Sequence, residues 1–135
     1  MYLLDTNICI YLINKTGEEY QNIINRLIKH KKAEIYLSIV TVAELYYGAE
    51  NSSKKESNLK LMNAFIDNFQ IANLDKKASI NYAQIRTKFN KINRKIGDMD
   101  MLIGAIALAN DMILVTNNEK DFIQIDGLKI ENWAK

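Results

Sequence analysis

The sequence contains no proline, a single cysteine and a single histidine among its 135 residues. No low-complexity tract, internal repeat or flexible linker interrupts it, so we expect one domain over residues 1–135. The lone Cys9 has no partner within the chain, which agrees with a reducing compartment. No apolar run is long enough to cross a bilayer, and the amino-terminal stretch lacks the basic region of a signal peptide. These absences predict a cytoplasmic protein without a membrane partner.

An excess of charge of either sign is also missing. The chain has 18 basic and 16 acidic residues, a balance that does not by itself mark a dedicated nucleic-acid binder. One segment, residues 86–95, departs from this balance with five basic side chains and no acid: Arg86, Lys88, Lys91, Arg94 and Lys95. The pattern alone favours the interpretation of this segment as a solvated helix face. The alternative is a surface that contacts a phosphate backbone.

The apolar patterning alternates between strand and helix periods. We predict strands at residues 2–5, 34–40, 69–74, 113–116 and 128–130. Helices are predicted from about residue 7 and at 18–32, 41–50, 54–68, 75–94 and 98–110, with a short helical turn before the last strand. This alternation predicts a mainly parallel sheet covered by helices on both faces, an α/β/α sandwich. In open sheets of this kind, ligands bind beyond the carboxyl ends of the strands.

Four acidic residues lie where predicted strands end or predicted helices begin: Asp5, Glu44, Asp100 and Asp121. Parallel strands end at one edge of their sheet, so these carboxylates are expected to share a pocket. Clustered carboxylates repel one another unless a cation neutralises them. A hard divalent ion such as Mg²⁺ or Mn²⁺ prefers oxygen ligands and can polarise a phosphodiester and activate a water for attack on phosphorus.

Each acid also has an ordinary structural explanation. Residues 41–44 match a capping box, in which Glu44 returns a hydrogen bond to the start of its own helix. Asp5 and Asp98 are candidate N-caps, and Asp100 in a first helical turn favours the positive end of the helix dipole. Spacing alone therefore leaves the choice between a metal site and a set of helix caps open.

The chain offers little support for other chemistry. His30 lies in the basic run KHKK and is expected to be solvated, and no serine is followed by a plausible histidine base. Cys9, Met99 and Met101 are expected to serve packing.

Four sequence motifs are more specific than the spacing of the acids. They are LLDTNICIYL at residues 3–12, SIVTVAELYYGAE at 38–50, IGDMDMLIGAIALA at 96–109 and LVTNNEKDF at 114–122. Together with the ending LKIENW they resemble, in order, the motifs of PIN domains and in particular of the VapC toxins of bacterial type II toxin–antitoxin systems. In the third motif Asp100, not Asp98, is the acid that matches. The resemblance covers essentially the whole chain.

The resemblance implies a compact α/β/α fold, dependence on Mg²⁺ or Mn²⁺, and endonucleolytic cleavage of RNA. It also implies a homodimer held in check by a cognate VapB-like antitoxin in a toxin–antitoxin hetero-oligomer, with the antitoxin's carboxy-terminal tail in the active site. By position, Asp5 and Asp100 would hold the metal directly, and Glu44 would be a further ligand or a water-mediated partner. Three residues would support the site through hydrogen bonds: Thr6, Asn7 and Thr116.

The fourth motif departs from the family pattern. Many PIN domains have an acid two residues after the threonine, where this chain has Asn118. An amide oxygen can still bind water or metal but supplies no charge, and Asp121 is the alternative acid. Which of the two fills the fourth position stays open.

Two other classes compete with this interpretation. A metal-dependent phosphatase of the haloacid-dehalogenase type requires a second aspartate two residues after the first, where this chain has Asn7, and receiver domains require an early acidic pair that is absent. A catalytically idle PIN-like module that only binds RNA or a protein is the second alternative, and the retained acids argue against it. Nothing in the sequence indicates whether transfer, ribosomal or messenger RNA is the substrate.

Overall fold

Five short strands form one entirely parallel sheet in the computed structural model, which describes residues 1–135. They are β1 (Tyr2–Leu4), β2 (Ile35–Ser38), β3 (Gln70–Ala72), β4 (Ile113–Val115) and β5 (Ile130–Glu131). Their order across the sheet is β3-β2-β1-β4-β5, so β1 is central and pairs with β2 on one side and β4 on the other. The predicted mainly parallel sheet is confirmed.

Helices make the crossovers that parallel neighbours require. They are α1 (Thr6–Asn14), α2 (Gly17–Leu27), α3 (Ile39–Glu50), α4 (Lys55–Ile66), α5 (Lys76–Lys91), α6 (Asp98–Ala109) and the single turn α7 (Glu119–Phe122), with a short 3₁₀ helix at Lys32–Glu34. None of these helices combines the length and the apolar character that crossing a lipid bilayer requires.

Alternate residues of the central strands supply the two faces of the sheet. Leu4 and Val115 belong to a buried cluster with residues of α1 to α4, whereas their neighbours Leu3 and Leu114 pack with residues of α5, α6 and α7. Both faces are therefore covered, and the predicted α/β/α sandwich is confirmed.

Several predicted boundaries are wrong by two or more residues; the helix predicted at 75–94, for example, ends at Lys91. Two of these differences have an identifiable physical cause. The strand predicted at 34–40 ends at Ser38, because the Ser38 hydroxyl caps α3 and draws the β-formers Ile39 and Val40 into its first turn. The helix predicted at 18–32 ends at Leu27, where the chain tightens into short-range turns. Ile28, which the predicted helix would have included, lies just after its end and is 73% exposed.

The prediction that His30 is solvated is also wrong. Its ring stacks on Trp133 with 5.2 Å between the ring centroids and lies 4.5 Å from the ring of Tyr2. Its Nδ1 atom is 3.6 Å from a carboxylate oxygen of Glu34. The carboxy-terminal segment brings the fully buried Trp133 back across this face, which no local pattern around residue 30 indicates.

Among the residues expected to serve packing, Cys9 and Met101 are buried, as predicted. Burial raises the pKa of the Cys9 thiol well above its ordinary value. Met99 is 51% exposed, so the prediction for this residue is wrong. It lies in the first turn of α6 between two aspartates, on a part of the helix that the core does not cover.

Candidate active site

Asp5 follows β1 at the carboxyl edge of the sheet and is 3% exposed. It caps α1: its Oδ1 accepts a hydrogen bond from the Thr6 backbone N–H at 2.7 Å. Its Oδ2 accepts from the Thr116 hydroxyl, at the end of β4, at 2.8 Å. Burial raises the pKa of Asp5, these two hydrogen bonds oppose the rise, and the nearby Glu44 carboxylate adds to it. The predicted cap is confirmed, and the same carboxylate lies at the centre of the sheet edge.

Glu44 lies on α3 and does not cap its own helix. The cap of α3 is Ser38, whose Oγ accepts from the Thr41 backbone N–H at 3.0 Å, so the capping box predicted for residues 41–44 is wrong. The prediction fails because the N-cap of α3 is Ser38, whereas the sequence pattern assigned this position to Thr41. Glu44 instead reaches across to α1, where its Oε1 accepts from the Thr6 hydroxyl at 2.7 Å.

Asp100 lies in the first turn of α6, as predicted, whereas the N-cap is Gly97 and not Asp98. Burial raises the pKa of Asp100 to about 6, with further contributions from the carboxylates of Asp5, Glu44 and Asp121. The other three predicted acids are therefore each close enough to Asp100 to act on its charge.

Asn118 and Asp121, the two candidates for the fourth position, are hydrogen-bond partners. The Asn118 side-chain amide donates to Asp121 Oδ2 at 3.1 Å. The Asn118 backbone N–H donates at 2.9 Å to the Thr116 hydroxyl, which in turn holds Asp5. The amide that replaces the usual acid thus positions another acid.

Asn7 is not brought into this network, since it is exposed and its side chain makes no hydrogen bond with an acid. The basic residues of 86–95 are likewise exposed on α5 and the loop after it: Arg86, Lys88, Lys91, Arg94 and Lys95. Three of them have protein partners, namely the hydroxyl of Tyr82 for Arg86, Asp126 for Lys88, and Gln124 for Arg94. Arg86 is also close enough to Asp98, at the start of α6, for the two charges to interact.

Sequence reasoning missed Ser38 and Thr41, which are both fully buried polar residues. The Ser38 hydroxyl donates to Thr41 Oγ1 at 3.3 Å, and Thr41 Oγ1 lies 3.0 Å from the hydroxyl of Thr6. The signal available in the sequence was a serine directly after a β-rich run, three residues before a threonine, which is the spacing of an N-cap and its recipient.

The donors at this edge are carboxylate and hydroxyl oxygens, the ligand chemistry of Mg²⁺ and Mn²⁺. No basic side chain contributes to the raised pKa values of Asp5 and Asp100, so the group carries uncompensated negative charge. No group of three or more acidic, histidine or cysteine side chains lies close enough together to hold a metal ion by protein ligands alone. An ion that keeps several of its waters does not require a closed protein shell, so the oxygen donors fit such an ion.

Comparison with known proteins places these residues in a family context. The sequence model of the PIN domain matches residues 2–128. The chain is 39% identical to Ribonuclease VapC2 of Rickettsia felis over 135 residues, which cover 100% of this chain and 99% of that protein. It is 32% identical over 133 residues to the tRNA(fMet)-specific endonuclease VapC of Shigella flexneri, with 98% of each chain covered.

Solved structures agree with the sequence relatives. A chain of VapBC2 from Rickettsia felis, bound to a DNA fragment from the promoter, aligns with a TM-score of 0.85 at 39% identity over 98% of both chains. DNA-bound VapBC from Salmonella typhimurium aligns with a TM-score of 0.88 at 32% identity, covering 98% of this chain and 97% of the other.

Proposed function

The chain belongs to the PIN-domain family, and from this premise we propose that it is the endoribonuclease toxin of a type II toxin–antitoxin pair. The observation that carries this proposal is the convergence of four carboxylates at the carboxyl edge of the sheet, where Asp100 has its pKa raised to about 6. Perturbed acids that share a cleft are typical of catalytic sites. We also propose that residues 1–135 form one PIN domain.

The divalent metal is part of this proposal. Asp5 and Asp100 would hold Mg²⁺ or Mn²⁺ directly, and Glu44 would be a further ligand or bind it through a water. When bound, such an ion polarises the scissile phosphate and helps generate the attacking hydroxide. Burial raises the pKa values of Asp5 and Asp100, and neighbouring carboxylates raise them further. This supports the assignment, because a bound cation would stabilise the ionised form of both side chains.

The other site residues orient the acids in this proposal. Thr116 holds Asp5 through Oδ2, and Thr6 holds it through Oδ1. Asn118 fixes Asp121, which serves as the fourth acid and orients water for the attack on phosphorus. Asn7 would contact substrate or water, since its side chain is exposed beside the site.

RNA would reach the acids along a basic surface. We assign phosphate contacts to Arg86, Lys88, Lys91, Arg94 and Lys95. Arg86 supports this assignment because it lies near Asp98, two residues before Asp100 on α6. A positive surface at the edge of an acidic site offsets the repulsion between the carboxylates and an approaching phosphate backbone.

The protein partner is a VapB-like antitoxin, which would inhibit the toxin within a hetero-oligomer, and the toxin itself would form a homodimer. Two relatives, from Shigella flexneri and Salmonella typhimurium, are named tRNA(fMet)-specific endonucleases and are 32% and 33% identical to this chain. Initiator transfer RNA is therefore the first substrate to test.

The test is cleavage of initiator tRNA by the purified chain. We expect cleavage with Mg²⁺ or Mn²⁺, complete arrest by excess EDTA, and recovery when the metal is restored. Ca²⁺ is expected to bind but to support cleavage poorly, because its looser coordination positions the attacking water less well. Undiminished cleavage in EDTA would contradict the metal mechanism, whereas metal-dependent cleavage of other RNAs only would contradict the choice of substrate.

A further inference from the structure

Three hydroxyl groups form a hydrogen-bonded row from the end of β2 to Glu44. The Ser38 hydroxyl lies 3.3 Å from Thr41 Oγ1, which is 3.0 Å from Thr6 Oγ1, and Thr6 Oγ1 lies 2.7 Å from Glu44 Oε1. This hydroxyl row joins β2, α3 and α1. Ser38 and Thr41 are fully buried, so neither can touch RNA.

Donor counting sets the direction of the hydroxyl row. An ionised carboxylate only accepts hydrogen bonds, and each hydroxyl has one proton to donate. Thr6 gives its proton to Glu44, so Thr41 must donate to Thr6, and Ser38 must donate to Thr41. Ser38 Oγ also accepts from the Thr41 backbone N–H at 3.0 Å, which fixes the Ser38 rotamer. Every hydroxyl in the row therefore both donates and accepts, and no buried side-chain polar atom lacks a partner.

Thr6 is where the hydroxyl row meets the acids. Its backbone N–H donates to Asp5 Oδ1 and its hydroxyl donates to Glu44 Oε1, both at 2.7 Å. A helical threonine has two accessible χ1 rotamers. The hydrogen bond from Thr41 favours the rotamer that directs the Thr6 proton to Glu44. Without it, the Thr6 hydroxyl is free to turn away, and Glu44 loses its one fixed donor on α1.

We propose that Thr41, oriented by Ser38, is a positioning residue that acts through Thr6 to hold the Glu44 carboxylate in place beside Asp5. This inference rests on the proposed nuclease site and assigns it a buried support that the acids alone do not reveal. Groups that orient metal-binding side chains commonly affect metal affinity or activity by about ten- to hundredfold when they are removed.

The test compares Thr41→Val, which replaces the hydroxyl by a methyl group of similar size, with Thr41→Ser, which keeps the hydroxyl. Mn²⁺ affinity is measured by electron paramagnetic resonance, beside single-turnover cleavage of RNA and urea unfolding. We expect Thr41→Val to weaken Mn²⁺ binding by about ten- to hundredfold, and Thr41→Ser to restore it. The protein concentration that gives the half-maximal rate of single-turnover cleavage should stay unchanged. Thr16→Val is the matched control, because the exposed Thr16 makes no side-chain cap hydrogen bond.

A double-mutant cycle separates positioning from a general loss of packing. In a Glu44→Ala background the hydroxyl row has no carboxylate to hold, so Thr41→Val is expected to cause no further loss of Mn²⁺ affinity. If Thr41→Val does not fold, Thr41→Ala removes the same hydroxyl without putting a methyl group in its place.

Folded Thr41→Val protein with wild-type Mn²⁺ affinity would overturn the inference, as would an equal loss in both backgrounds. A wild-type chain that cleaves no RNA, or Glu44→Ala with unchanged Mn²⁺ affinity, would instead contradict the proposed function.

Discussion

Asp100 is the residue at which the electrostatics of the site are most directly measurable. Its pKa is raised to about 6 by burial and by three other carboxylates, so the folded chain holds a proton that the unfolded chain has already released between about pH 4 and pH 6. The unfavourable contribution of Asp100 is fully present above this window and is relieved as the pH falls through it. We therefore expect Asp100 to make the metal-free protein less stable as the pH rises.

Urea unfolding of the wild type and of Asp100→Asn measures this contribution. The wild-type free energy of unfolding should fall relative to that of the variant by on the order of 1 kcal/mol between about pH 4 and pH 7, a figure discounted because the carboxyl is only half buried. Comparing the two proteins cancels the lowered pKa of Glu119, which acts in the opposite direction. Parallel stability profiles would show that the pKa of Asp100 is not raised in the folded protein.

A variant of Glu44 distinguishes a structural role of this side chain from a role in catalysis. Glu44→Gln can still accept the hydrogen bond from Thr6 but has no charge. We expect cleavage to fall by about tenfold to a hundredfold or more, and the free energy of unfolding to change by no more than about 0.5 kcal/mol. Glu50→Gln, at the exposed end of the same helix, is the matched control. Near-normal cleavage by Glu44→Gln would remove this residue from the site.

At the residue scale, the acids of the site could be predicted from the sequence, but contacts between distant segments could not. The four acids were recognised because strand ends and motif positions are local features of the sequence. The hydrogen bond between Thr41 and Thr6 was not, because it depends on the distance between α3 and α1, which only tertiary packing sets. His30 was misjudged for the same reason, since its stacking partner Trp133 comes from the other end of the chain.

At the scale of elements, the end of α5 and the loop after it form the basic surface assigned to RNA. Lys91 and Lys95 are exposed and make no ion pair, whereas Lys88 is paired with Asp126. Replacing Lys91 and Lys95 by Gln should weaken RNA binding. The negative slope of log K against log salt concentration should become shallower by about 1.4, because each phosphate contact on a single strand contributes about 0.7.

The control for this prediction is the pair Lys29→Gln and Lys31→Gln, which precedes β2 at the opposite edge of the sheet from the acids. Binding titrations at several salt concentrations decide between the two interpretations of residues 86–95. Equal slopes for the wild type and for the double variant Lys91→Gln, Lys95→Gln would show that this segment is a solvated helix face.

Element boundaries were less predictable than element types. The sequence EIYLSIV has the composition of one strand, yet the structure ends β2 at Ser38 and gives Ile39 and Val40 to α3. The cap hydrogen bond from Thr41 to Ser38 decides this boundary against local β propensity. The same bond displaced the predicted capping box and left Glu44 available to face α1.

At the scale of the whole molecule, the alternation of strands and helices was enough to predict a parallel sheet with two covered faces. The strand order was not predictable, because it depends on which strands pair and not on the pattern within any one of them. That order places β1 between β2 and β4, so residues following three adjacent strands meet at one edge: Asp5, Thr41 and Thr116. The chain continues from β1 to β2 on one side of the sheet and from β4 to β5 on the other, so the strand order reverses between β1 and β4. In sheets of this kind, ligands bind in the crevice at that point.

We propose that the converging carboxylates perform metal-dependent RNA cleavage, and that Asp5 does more than cap α1. Asp5→Asn and Asp100→Asn keep the shape of each side chain and remove its charge, so the repulsion within the metal-free site decreases. The measurement is single-turnover cleavage of initiator tRNA by each variant beside its thermal unfolding without metal. We predict that both variants unfold at temperatures equal to or above that of the wild type and that cleavage collapses in both. Cleavage by both Asp5→Asn and Asp100→Asn at rates near that of the wild type would contradict the proposal.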